Sequence, residues 1–170
     1  SQILDFSRWE SKEQTLKMGK VNISDILNDI IEDEAKKLKD KDIKIKKDID
    51  EKHNVIGDEE SLRRVIINLL DNAIKFSPET GEIVISSQKK HDKIEVSVKD
   101  HGPGINQEEK EKIFSRFYQQ KTGKLMTQKN EGLGLGLSMV KKIVDTHGGS
   151  AGVKSAPGEG SRFYFKIPSY

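Results

Sequence analysis

The sequence predicts an α+β domain, and three observations predict it. Apolar residues recur at helical spacing in three stretches, opening near Ser24, Asp58 and Gly136. Other short segments alternate apolar with charged residues, as half-buried strands do. Two pairs of these segments are joined by short turns, at His91-Asp92 and at Pro157-Gly158-Glu159-Gly160. A chain of 170 residues can bury roughly two thirds of its extended surface and fold without staples. Its apolar share is 33% and its charged share 34%. The 14 glycines lift the apolar share only modestly, still below the ordinary apolar-plus-glycine share of about 45–50%, while the charged share exceeds the usual figure of about 25%. That describes one thin core under a heavily charged skin.

Composition also excludes function classes. There are no cysteines, which removes disulfides, thiolate metal sites and thiol catalysis. No run reaches the roughly 18 apolar residues of a membrane span. Thirty basic residues against 28 acidic ones give a net charge of +2, too even to be a nucleic-acid footprint.

In chain order, Ile3, Leu4, Phe6 and Trp9, then Leu16 and Met18, read as the end of a helix that runs into a link at Gly19. Its face has little to pack on locally, as expected of a stub of a larger element. Val21 to Ile23 reads as a brief strand. Ser24 reads as an N-cap, followed by Ile26, Leu27, Ile30, Ile31 and Leu38 on a helical face. Ile43, Ile45 and Ile49 alternate with lysines as a strand. Asp58 opens the strongest helix, with Leu62, Val65, Ile66, Leu69, Leu70 and Ala73 on its apolar face, and Ser77-Pro78 stops it. Strands follow at Ile83 to Ile85 and at Ile94, Val96 and Val98. Asp100-His101-Gly102-Pro103-Gly104 breaks into a loop, and Asn106 with Glu109 opens a short helix through Ile113, Phe114 and Phe117. Tyr118 to Glu131 is polar and aperiodic, and reads as a mobile loop. Gly132-Leu133-Gly134-Leu135-Gly136-Leu137 leads into a helix through Val140, Ile143 and Val144, closed by His147-Gly148-Gly149. The chain ends in a hairpin of Ala151 to Lys154 and Arg162 to Ile167.

Three of these features can carry chemistry. On the helix from Asp58, Asn68 and Asn72 lie about 40° apart, with Lys75 and Phe76 in the same stripe. An amide oxygen is a hard ligand for Mg²⁺, an ammonium meets phosphate, and a ring stacks on a base. Taken alone, such a stripe is more often a polar border satisfied by backbone or water. Asp100 at a strand end can accept hydrogen bonds from an adenine amino group, and glycines beside it let a flat base approach the backbone. Taken alone, that loop is more often an ordinary turn. The Gly132, Gly134, Gly136 triplet exposes backbone N–H groups ahead of a helix start, an anion cradle. It is neither a Walker loop nor a dinucleotide fingerprint.

Taken in order, these pieces resemble the catalytic, ATP-binding domain of a two-component sensor histidine kinase, over Val21 to Ile167. The motifs are Asn68-Leu-Leu-Asp-Asn-Ala-Ile-Lys75, Asp100 to Gly104, Phe114-Ser-Arg-Phe-Tyr118, Gly132 to Leu137 and Gly158-Glu-Gly-Ser161. The resemblance implies a two-layer α/β sandwich, shared with gyrase, mismatch-repair and heat-shock chaperone ATPases. Its sheet is mixed and mostly antiparallel, with helices on one face and ATP between helices and a lid. It implies that Asn72, with Asn68 beside it, holds Mg²⁺, that Lys75 meets phosphate, that Phe76 lines the base and ribose and that Tyr118, where the lid begins, is among the nucleotide-binding residues. Asp100 would read the adenine amino group, and Gly102, Gly104 and Ile105 would shape its pocket. Gly132, Leu133, Gly134, Leu135, Gly136 and Leu137 would hold the phosphates, Ser161 would support the adenine end, and residues 118–131 would form the lid.

The sequence departs from the family pattern twice. Where many members have an arginine after the Phe-Tyr pair there is Gln119, which leaves Lys121, Lys124 or Lys129 to supply charge. The phosphoacceptor pattern, a His followed by an acidic residue and Arg-Thr-Pro, is absent, so His53, His91, His101 and His147 read as structural or exposed. Leu4-Asp5-Phe6-Ser7-Arg8 resembles the end of the second dimerisation helix. Residues 1–18 are therefore expected to be a stub and linker, and residues 19–170 the catalytic domain. The expected activity is transfer of the γ-phosphate to a histidine on a separate dimerisation and phosphotransfer domain, for relay to a response-regulator receiver domain. Little or no self-phosphorylation is expected of this chain alone. The resemblance implies a cytoplasmic, monomeric fragment of a homodimeric parent, with no nucleic-acid or membrane contact. Two alternatives stay open. One is a conformational ATPase of the same fold, against which stands Asn68, an amide where those enzymes place a catalytic glutamate. The other is a noncatalytic nucleotide-binding or interaction module.

Overall fold

The computed structural model describes residues 4, 7, 15–118 and 136–170. Its elements in chain order are β1 (Gly19–Asn22), α1 (Ile23–Asp33), α2 (Ala35–Asp40), β2 (Lys44–Asp48), β3 (Asn54–Gly57) and α3 (Glu59–Phe76). They continue with β4 (Glu82–Lys90), β5 (Lys93–Asp100), α4 (Gln107–Lys112), α5 (Gly136–Thr146), β6 (Ser150–Ser155) and β7 (Ser161–Pro168). Strands β2-β4-β5-β7-β6 form a five-stranded sheet in that order, with β2 parallel to β4 and every other pair antiparallel. Strands β1 and β3 make a separate antiparallel pair. This is the α+β class that the sequence predicts, with the mixed, mostly antiparallel sheet that the family resemblance implies.

The period of two decides which face is buried. Ile83 and Ile85, then Ile94, Val96 and Val98, then Phe163, Phe165 and Ile167 all point inward and are buried. Helix α3 covers them with Leu62, Val65, Ile66, Leu69, Leu70 and Ala73, and α5 adds Met139, Val140, Ile143 and Val144. Phe114 meets Phe163 edge to face, with ring centroids 6.3 Å apart. At their ends, α3 and α5 are tied together by the buried His147. Its Nε2 accepts from the Asp58 N–H at 3.0 Å, which leaves the ring proton on Nδ1, 2.7 Å from the Ile143 carbonyl.

Local chemistry moves some boundaries. The cap of α1 is Asn22 rather than Ser24, because Asn22 Oδ1 accepts from the Ser24 and Asp25 N–H groups at 2.9 and 3.3 Å. The brief strand therefore lies at Gly19–Asn22, where it pairs with β3, and Ile23 already belongs to the helix. The helical face ending at Leu38 is split at Glu34, which adopts φ −88° and ψ 0° between α1 and α2. Asp58 caps α3 as expected, its Oδ1 accepting from the Ser61 N–H at 2.8 Å. The helix after Asn106 stops at Lys112, and residues 113–117 continue as turns.

Candidate functional site

The site forms where the C-terminal half of α3 meets the loop after β5 and the start of α5. Asn68, Asn72, Lys75 and Phe76 are half-buried along one edge of α3, as expected of a stripe bordering the apolar face. The Lys75 ammonium lies 5.4 Å from the centre of the Phe76 ring. The open carbonyls at the end of α3 are capped by Lys41, whose Nζ donates to the Ile74 carbonyl at 2.6 Å and the Ser77 carbonyl at 3.3 Å. Lys41 stands in the sequence as one of many surface lysines. Its role follows only from the α2–β2 turn passing beneath α3.

Asp100 ends β5 at 2% exposure. Its Oδ1 accepts from the Gly102 N–H at 2.8 Å, and the carboxylate also accepts from the Ser161 N–H. Burial pushes the Asp100 carboxyl above the ordinary range, against these two hydrogen bonds and the neighbouring His101 charge. Two backbone donors use part of the capacity of a group with about four lone-pair sites. The remainder can receive an amino group.

The glycines are where close approach demands them. A Cβ on Gly102 would lie 2.6 Å from the Phe76 carbonyl oxygen and 2.9 Å from Asp100 Oδ1. The loop after β5 therefore rests directly on the end of α3. Gly104 has φ +76°, and a Cβ there would overlap the Ala156 carbonyl. The same loop is knit to the β6–β7 turn. The Gly158 N–H donates to the Pro103 carbonyl at 2.7 Å and the Ile105 N–H to Ser155 Oγ at 2.8 Å. Ser155 Oγ also donates to the Gly160 carbonyl and lies 3.0 Å from Ser161 Oγ. Ser161 is thus two hydrogen bonds from the loop rather than remote in the hairpin.

At the other end of the stripe, a Cβ on Gly136 would lie 3.2 Å from Asn68 Oδ1. The last glycine of the Gly-Leu triplet therefore abuts the amide row, and Leu137 follows it half-buried at the start of α5. Gly132, Leu133, Gly134 and Leu135 lie outside the described residues, as do Gln119, Lys121, Lys124, Lys129 and all of the expected lid but Tyr118. Tyr118 itself is half-buried, and its hydroxyl donates to Glu109 Oε1 at 3.1 Å. Burial and that carboxylate raise its pKa. Beside it, Phe117 is 68% exposed with φ +58°.

No group of three or more His, Asp or Glu side chains placed to hold a metal exists among the described residues. A divalent cation at this site would rest on neutral amide oxygens. Asn68 Oδ1 faces a glycine, and Mg²⁺ takes one or two protein oxygens beside phosphate and water, so the donor set fits that ion. Of the four histidines, His147 is buried and structural, and His53 lies 2.9 Å from Ser87 Oγ. His91 and His101 are exposed.

Residues 57–170 match the family described as histidine kinase-, DNA gyrase B-, and HSP90-like ATPase. The adaptive-response sensory kinase SasA of Rippkaea orientalis is 41% identical over 145 residues. That match takes in 84% of this chain and 36% of the relative, so the chain spans little more than a third of that kinase. The catalytic domain of histidine kinase ThkA superposes with a TM-score of 0.78 at 33% identity, covering 90% of this chain and 96% of that one. ThkA in complex with the response regulator protein TrrA gives 0.81 at 30% identity, covering 99% and 46%. Full-length ShkA in complex with AMPPNP gives 0.85 at 28% identity, covering 99% and 34%.

Proposed function

The chain belongs to the histidine kinase-, DNA gyrase B-, and HSP90-like ATPases and is the ATP-binding catalytic domain of a sensor histidine kinase; from that premise we propose how its residues handle the nucleotide and where the phosphate goes. The observation that carries the reading is the double contact along α3. Gly102 lies against Phe76 at one end of the stripe and Gly136 against Asn68 at the other. The stretch from Asn68 to Phe76 spans about 12 Å of helix at 1.5 Å per residue, the scale of a nucleoside triphosphate.

Purine recognition falls to Asp100, which receives the adenine amino group, in a pocket shaped by Gly102, Gly104 and Ile105 and supported by Ser161. Phe76 and Tyr118 border the base and ribose. Asn72 and Asn68 would hold Mg²⁺, which when bound would supply neutralisation of the phosphate charge. Lys75 contacts the phosphates, and N–H groups of residues 132–137 cradle them ahead of α5. None of these side chains is a general base for a histidine acceptor, so the domain contributes positioning and charge neutralisation rather than covalent chemistry. The acceptor histidine and its base would belong to a separate dimerisation domain, to which residues 1–18 lead, with residues 19–170 as the catalytic unit. Lys17 supports that boundary: its N–H donates to Asp58 Oδ2 at 2.8 Å, pinning the incoming chain just before β1. A receiver domain of a response regulator is the final acceptor, in keeping with the ThkA complex. Among the described residues no helix is long and apolar enough to cross a membrane.

Radiolabelled ATP tests this directly. The chain alone binds nucleotide and takes up no acid-labile label, while a dimerisation domain supplied in trans becomes labelled on histidine. Acid-labile label on this chain alone, or rapid ATP hydrolysis with no acceptor present, would contradict the assignment.

A further inference from the structure

The side of the sheet turned away from the helices carries a charge pattern that nucleotide handling does not use. In register, Lys99 of β5 faces Arg162 of β7, and Arg162 faces Lys154 of β6. Three cations therefore stand in one row across three adjacent strands. Directly opposed side chains are about 5 Å apart at Cβ, where like charges destabilise a sheet. Arg162 is relieved by Glu95, a 3%-exposed carboxylate that its Nη2 reaches at 2.6 Å. Lys99 and Lys154 are exposed and make no side-chain hydrogen bond or ion pair among the described residues. The next row holds Tyr164 against Gly152. A Cβ on Gly152 would lie 2.5 Å from the Tyr164 hydroxyl, so the ring lies across β6. Arg162 and Lys166 sit over that ring, each 5.6 Å from its centre. Lys166 also lies 3.7 Å from Glu95.

We propose that this strip is a docking surface for an acidic segment of a partner protein, two or three carboxylates of which are received by Lys99, Arg162 and Lys154. The row spans two strand spacings, about 10 Å. Adjacent cations are one spacing apart, about 5 Å, close to carboxylates on successive turns of a helix at about 5.4 Å. The whole row matches carboxylates two turns or three extended residues apart, about 10–11 Å. An anionic bilayer matches it less well. The strip is narrow, has the Glu95 carboxylate beside it, and offers no large aliphatic side chain for insertion on the outward face of β5, β6 or β7. Single-stranded nucleic acid needs an open ring to stack on, and Tyr164, the one aromatic on this face, is flanked by its two cations. Glu95 relieves only the central arginine, and the two flanking lysines are left for a partner's carboxylates to neutralise.

The test is an amide NMR titration of the whole chain with a nine-residue Glu- and Asp-rich peptide at low salt. Shifts concentrate on residues 93–99, 150–154 and 162–166. The double variant Lys99→Glu, Lys154→Glu weakens peptide binding at least tenfold and leaves ADP affinity within twofold. Lys154→Gln alone raises the melting midpoint by about 1–2 °C as the row loses a charge. Four results would overturn the proposal: no shifts at about 1 mM peptide, shifts spread over lysines everywhere, a lower midpoint for Lys154→Gln, or the same shifts produced more strongly by phosphatidylserine vesicles or oligothymidylate.

Discussion

Replacing Asp100 by Asn separates nucleotide recognition from fold stability. The carboxylate accepts N–H groups from Gly102 at 2.8 Å and from Ser161, and in the proposed complex it accepts the adenine amino group as well. Asn is nearly the same shape, but its single oxygen is drawn to the two backbone donors. Its NH₂ then faces the purine amino group, donor against donor. Losing one hydrogen bond to a charged acceptor costs about 1.5–3 kcal/mol, so ADP affinity should fall about 10- to 150-fold. Stability should move the other way. Because burial raises the Asp100 pKa in the folded state, its favourable contribution is fully present below the unfolded carboxylate pKa and is lost as pH rises through the folded value. Wherever the buried carboxyl is ionised, it is a liability that Asn removes. The variant should be as stable as the parent or slightly more so at pH 7, and the difference should shrink on acidification. Calorimetric ADP titration and urea melts between pH 4 and 7 read both effects. Unchanged ADP affinity, or a stability loss above about 1 kcal/mol persisting at every pH, would refute the reasoning.

Other outcomes follow from the same geometry. Gly102→Ala forces a methyl into the Phe76 carbonyl 2.6 Å away and should lower stability by about 1–3 kcal/mol, seen as a reduced urea midpoint. Asn72→Ala should abolish the gain in nucleotide affinity that Mg²⁺ gives and leave metal-free ADP binding within about threefold, since a lost neutral ligand touches only the ion. For Glu95, burial raises the carboxyl pKa, but hydrogen bonds from Lys90 and Arg162 outweigh it and hold the carboxyl below the ordinary range. Its stabilisation is therefore present above the unfolded pKa and lost as pH falls through the lower folded one. Glu95→Gln should cost about 2 kcal/mol near neutrality, because its cations are themselves partly exposed, and should flatten the acid limb of the stability profile.

Periodicity made the long elements legible. Helix α3 carries about three turns of apolar face after an Asp cap, and β4, β5 and β7 alternate long enough to fix their buried faces. The pair β1–β3 was not legible as a sheet, because four-residue strands carry too little alternation, and β3 is held by β1 and by the bridge from Val55 to Ser169 at the far end of the chain. The α1 cap was misplaced by two residues because Asn22 and Ser24 are both good capping types, and only backbone geometry chooses between them. In the site, the glycines announced themselves by spacing. Residues that act through tertiary placement did not: Lys41 under the end of α3, and Ser155 joining the Ile105 loop to the hairpin, look like any surface lysine and strand serine.

The central claim is that the amide row of α3 and the start of α5 serve one metal–nucleotide complex. Paramagnetic relaxation with Mn²⁺ and AMPPNP bound to the isotopically labelled chain measures this most directly. The account predicts strong broadening of the Asn68 and Asn72 side-chain amides and the Gly136 N–H, with diamagnetic shifts at Asp100 and Gly102 from the purine. Broadening centred elsewhere, with the Asn68 and Asn72 amides sharp at saturating nucleotide, would contradict it.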